Sequence, residues 1–261
     1  MGGIGCGWAT SISNGVAALA LLIYLNRSAV YRRFHLLADW AKPDAAGIRY
    51  ILRLGIPIGF TIFVEASMFS VIALFLAPLG PVIVAGHQIA LNVVSLVFML
   101  PLSIGMALTL RVSFLVGAKA PDTARLIARS SLILASAVAL VFAVLLFVFA
   151  EGIAALYTGE QDVQAVTVTL LVYAAFFQIA DVIQVTCISA LRGYKDTSIP
   201  MLIMLFSFWG VGLPLGWVLT FTDWLLPAMG AAGFWVGLTC GLASASILLG
   251  LRLFLYSPKP E

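Results

Sequence analysis

Two carboxylates carry the chemical signal of this sequence. Asp181 lies inside VQAVTVTLLVYAAFFQIADVIQVTCISAL, residues 163–191, and Glu65 inside ILRLGIPIGFTIFVEASMFSVIALFLA, residues 51–77. Both stretches are apolar and long enough to cross a bilayer. A carboxylate in hydrocarbon is costly, so it normally faces a cavity or a partner and marks an ion or substrate path. Glu65 stands twelve residues beyond Arg53, about 18 Å along a helix. Asp181 stands eleven residues before Arg192, about 16 Å from the same face of the membrane. Two acids on separate helices thus reach similar depth, where they can share a cation or a proton. The alternative is that each is hydrogen-bonded separately and structural.

Other polar groups fall near them. Tyr173 and Phe177 precede Asp181 by eight and four residues, on its helical face, and Gln178 and Gln184 flank it. Gln88 and Asn92, four apart, share one face of a further helix, with His87 beside them. These side chains suit the lining of a polar cavity, and they suit helix–helix contacts as well. His87 alone reads as a bonded structural residue.

The elements that must hold these groups are transmembrane helices. Of 261 residues, 62% are hydrophobic and 10% charged, against roughly 25% charged in a soluble domain. Long apolar runs recur throughout, without the two-residue alternation of a membrane strand, and predict an all-α membrane protein. Seven spans are expected, at about 3–25, 51–77, 82–110, 126–150, 163–191, 199–221 and 229–254. Pro57, Pro101 and Pro214 invite bends. The loops after spans one, three and five and the tail, with the span ends that border them, hold all 14 Lys and Arg residues. The opposite loops hold only Glu151, Glu160, Asp162 and Asp223. The positive-inside rule then places the C-terminus in the cytoplasm.

Between spans one and two, Tyr31, Phe34, Leu37 and Trp40 recur every three residues among arginines. They fit a short amphipathic helix on the membrane surface or a solvated linker. The opening MGGIGCGWAT lacks a basic segment, so no cleavable leader is expected. GGIGCGW is no dinucleotide loop, because no strand precedes it. It shares with GAAGFWVG the pattern G-x-x-G followed by a small residue four positions on, as if each closed a repeat. Cys6, Cys187 and Cys240 are scattered, without metal or redox spacing. A retinal-type photosensor would need a lysine inside a span, yet Lys42, Lys119, Lys195 and Lys259 lie in loops or the tail. No nucleophile–base set or phosphate loop points to an enzyme.

The stretches GGIGCGWAT, RLGIPIGFTIFVEASMF, VAGHQIALNVVSLVFMLPLSIG, QIADVIQV with ALRGYKDT, and GAAGFWVGL resemble the multidrug and toxic compound extrusion (MATE) transporters, NorM-type branch. The likeness runs from Gly2 to about Phe254. That family has twelve helices in two six-helix lobes, so the resemblance implies one closing helix of a first lobe (1–26), an interlobe linker (27–50), a second lobe (51–256) and a tail (257–261). Five helices have no counterpart here. The family exchanges inward sodium ions or protons for outward drugs, typically organic cations. By resemblance, Glu65 and Asp181 match the cation site of sodium-coupled members, and Phe177 replaces its tyrosine. The implied protein is a cation-coupled antiporter of the bacterial inner membrane, without cofactor or nucleic-acid partner, present here as a C-terminal portion that works with a missing N-terminal lobe. A related flippase for lipid-linked sugars is disfavoured, because such proteins carry basic groups in the cavity and none is expected within these spans.

Overall fold

The computed structural model of the chain describes residues 2–28 and 44–255. The amphipathic segment expected at Tyr31–Trp40 and the tail expected at 257–261 lie outside them. The chain forms two units, Met1–Tyr50 and Ile51–Glu261.

The first unit contains α1 (Gly2–Arg27) and the opening turns of α2 (Ala45–Leu76). The helix α2 starts six residues before the expected span, and Asp44 is the reason. Its carboxylate accepts the Ala46 and Gly47 amides, each at 3.0 Å, satisfying two of the N–H groups that every helix leaves open at its start.

The second unit holds the remaining helices. Pro57 sits inside α2, and Thr61 returns its hydroxyl to the Pro57 carbonyl at 2.8 Å. A 3₁₀ turn (Ala77–Leu79) and Gly80, at φ 106°, lead into α3 (Pro81–Gly117), which contains Pro101. Next come α4 (Pro121–Val148) and the short α5 (Ala150–Tyr157). The long α6 (Gln161–Gly193) follows. The sixth span is not one regular helix. It joins α7 (Ser198–Leu205), a π-helical stretch (Phe206–Gly212) and α8 (Leu213–Phe221). Pro214 cannot donate to the preceding turn, and the widened stretch lies just before it. The chain closes with α9 (Ala231–Leu255).

Seven helical stretches among the described residues are long and apolar enough to cross a membrane, so the protein is an all-α membrane protein. The expected spans are all found, with displaced ends. The 37 residues of α3 reach about 55 Å, well past a hydrocarbon core of about 30 Å. Arg111, read as a loop residue, therefore lies within that helix. Likewise α4 begins at Pro121 rather than near 126, because proline fits the first turn of a helix.

The core forms around α6, of which half the most apolar stretch is buried. Close approach of helices at glycines explains this. A Cβ on Gly86 would meet Val166 at 2.6 Å, and one on Gly105 would meet Ser189 at 2.6 Å. Thr109 donates its hydroxyl to the Ser189 carbonyl at 2.8 Å. The same device joins α9 to α8, where a Cβ on Gly237 would meet the Gly216 backbone at 2.5 Å. Small residues are what lets transmembrane helices pack this closely.

Candidate functional site: a carboxylate pair between two helices

Asp181 sits in the buried third quarter of α6, only 4% exposed. Glu65 is half-buried on α2, and the two carboxylates are within electrostatic reach of each other. Neither has a hydrogen bond or ion pair among the described residues, so the reading in which each is separately hydrogen-bonded finds no support there. Like charges in a low-dielectric setting repel strongly, and a bound cation or a shared proton relieves that repulsion.

A third charged group was missed at the sequence level. Arg192 belongs to the last turn of α6 and is half-buried, within electrostatic reach of Glu65. It stands three helical turns from Asp181 and so projects from nearly the same face. In the sequence, a charged residue at a span's end reads as the boundary of that span. The expectation that no basic group lies within the helices is thereby corrected: α2 also includes Arg53, and α3 Arg111. Among the described residues no group of three His, Cys, Asp or Glu side chains gathers as a metal site.

Phe177, one turn before Asp181, is buried in an aromatic cluster rather than standing open to a cavity. Its ring meets Phe69 of α2 edge-on at 6.3 Å and Trp235 of α9 at 5.6 Å. Trp235 in turn donates its indole N–H to His87 Nδ1 at 3.3 Å, so the fully buried His87 is a bonded core residue. Tyr173 is half-buried a turn further on.

The four amides separate into two settings. Gln178 and Gln184 are buried; Gln184 donates to the Met204 sulfur at 3.1 Å, and neither amide atom of Gln178 has a partner among the described residues. Gln88 and Asn92 are exposed on α3, where Asn92 accepts a bond from the Tyr157 hydroxyl of α5 at 2.8 Å. The sequence could not separate these pairs, because helices that are apolar all round do not reveal which face turns inward.

Residues 57–218 match the pattern of the MatE family. The multidrug resistance protein PmpM of Pseudomonas aeruginosa is 45% identical over 253 residues, covering 97% of this chain and 53% of that protein. The multidrug resistance protein NorM of Photobacterium profundum is 41% identical over 253 residues, covering 97% and 56%. The chain spans about half the length of the curated relatives it matches. In fold, it resembles the crystal structure of the eukaryotic MATE transporter AtDTX14, with a TM-score of 0.82 at 21% identity, covering 94% of this chain and 54% of that one. With residues 57–218 matching that family and seven helices long and apolar enough to cross a membrane among the described residues, the chain belongs to the MatE family of membrane transporters.

Proposed function

We propose that this chain supplies the second lobe of a cation-coupled exporter of drugs and other small organic compounds. The observation that carries this reading is the proximity of Glu65 on α2 and Asp181 on α6, with no hydrogen-bond partner for either among the described residues. A sodium ion or a proton is the species such a pair binds, and a hard monovalent cation favours its oxygens. Cationic substrates suit the same negative charge. Arg192 adds a fixed positive charge within electrostatic reach of Glu65. The reading involves transport alone; no bond is made or broken.

In the same reading, residues 1–26 are the closing helix of a first lobe, 27–50 a linker and 51–256 the second lobe, with the C-terminus in the cytoplasm of a bacterial inner-membrane protein. The substrate path then runs between two lobes, and alternating access is one lobe rocking against the other. The exposed pair Gln88 and Asn92 is suited to face that path.

The test is complementation in efflux-deficient cells. This chain alone is expected to give no export of a fluorescent organic cation. Co-expression with the first five helices of a NorM relative is expected to restore part of it. Robust export by this chain alone would contradict the two-lobe reading.

A further inference from the structure

The connection from α8 to α9, residues 222–230, reads TDWLLPAMG. It carries four apolar residues in a row, and they face outward. Trp224 is 80% exposed, Leu225 63% and Leu226 55%, and Pro227 is exposed as well. A run of that kind is unfavourable against water. The connections 118–120, 158–160 and 194–197 each hold a charged residue and no such run.

The loop is closed at its base, so it cannot carry the run far from the helix ends. The Met229 amide bonds the Leu219 carbonyl at 2.9 Å. Inside that closure, the Asp223 carboxylate accepts the Ala228 amide at 2.9 Å. Asp223 is the one charged residue of the loop, and it serves the loop's own backbone. Gly230, at φ 57°, then turns the chain into α9. Trp224, Leu225, Leu226 and Pro227 are left as the tip.

Below the tip, the apolar surface continues along α8. Pro214, Trp217 and Phe221 recur at helical spacing and are all exposed. The Trp217 and Phe221 rings are 6.1 Å apart, and Phe221 meets Phe234 of α9 edge-on at 6.0 Å, which fastens the stripe to the lobe. Position says what covers it. The sixth span has 24 residues, or about 36 Å at the helical rise, against a hydrocarbon core of about 30 Å. Its end at Phe221 therefore lies at the membrane interface, and the loop begins there. Tryptophan favours that level, and aliphatic side chains favour the boundary just beneath it.

We propose that residues 224–227 are a membrane wedge. The loop folds onto the leaflet opposite the Lys195 turn, with the Trp224 indole among the headgroups and Leu225 and Leu226 among the upper acyl carbons. Tip and α8 stripe form one surface, so one occupant, the lipid leaflet, covers both. The wedge fixes the depth of α8 and α9 in that leaflet.

The experiment attaches a nitrobenzoxadiazole label to Leu225→Cys in a complete transporter that contains this chain, otherwise free of cysteine, in phosphatidylcholine vesicles. Lipid spin-labelled at acyl carbon 5 is expected to quench this label about two-fold more than aqueous iodide does. The same label on Gly159→Cys, in the exposed turn before α6, is expected to show the reverse. Stronger quenching by iodide at position 225 would place the tip in water. Weak quenching by both agents would place it under protein, such as the first lobe. Either result overturns the proposal. Should the cysteine-free background fail to fold, the native tryptophans give a second reading. The emission removed by Trp224→Phe is expected to be the part that brominated lipid quenches. If that part is quenched by iodide and not by brominated lipid, the wedge is likewise ruled out. Neither reading involves the acid pair or export, so the result stands apart from the complementation test.

Discussion

The two helices that carry the acids are built into the protein differently. Asp181 rides on α6, whose most apolar stretch is 50% buried; Glu65 rides on α2, where the figure is 22%. Against α6, glycines admit neighbouring groups closely: besides Gly86 and Gly105, a Cβ on Gly193 would meet the Val112 side chain at 2.7 Å and the Thr109 carbonyl oxygen at 3.0 Å. Against α2, long side chains bridge the gap. Phe69 reaches Phe177, Phe75 stacks on Phe234 at 6.0 Å, and the Trp209 indole donates to the Val64 carbonyl at 3.4 Å. On α2 itself, a Cβ at Gly55 or Gly59 would meet nothing within 4 Å. Short, stiff groups packed against glycine leave little room to shift; long rotatable side chains can repack as a helix moves. Asp181 therefore sits on a tightly packed helix, and Glu65 on one held by side chains that can repack. A pair built in this way can change its separation, as the proposed ion coupling requires.

That contrast can be broken by substitution, and glycine separates the two regimes most sharply. Gly237→Ala, in the α8–α9 contact, sets a methyl group against backbone and is expected to cost about 1–3 kcal/mol or more. It should appear as a large fall in thermal stability in detergent. Gly59→Ala, on the open face of α2, is expected to be neutral or to stabilise by about 0.5–1 kcal/mol, since alanine favours the helix. Similar losses from both would erase the distinction between the helices.

A smaller effect is expected where side chains bridge. Phe69→Leu removes the edge contact with Phe177, worth about 0.5–1.5 kcal/mol. The account predicts a modest loss of stability, together with faster thiol labelling of a cysteine placed at Ser67. Unchanged labelling would mean that the ring does not hold α2 in place.

The sequence made the seven spans legible because charge-free apolar runs leave few alternatives in a membrane, and Glu65 and Asp181 legible because acids there are rare. Helix ends were harder to read. The start of α2 depended on a capping carboxylate at Asp44, and Arg111 sits in a helix that outruns the bilayer. The widened turn at Phe206–Gly212 had only Pro214 to announce it, and the break between α4 and α5 at Phe149 carries neither glycine nor proline. Within the site, the missing information was facing. Gln178 and Gln88 are equally polar in the sequence, yet one is buried and the other exposed. Arg192 escaped notice for the opposite reason, since its position at a span boundary offered a sufficient explanation of its charge.

The acid pair is tested most directly in a complete transporter that contains this chain, reconstituted into vesicles under an imposed sodium or proton gradient. Asp181→Asn and Glu65→Gln keep size and hydrogen-bonding capacity but remove the charge that holds a cation or exchanges a proton. Each variant is expected to insert at normal levels and to lose gradient-driven export of an organic cation. Gradient-driven export at the unaltered rate in both variants would show that these carboxylates do not couple the ion to transport.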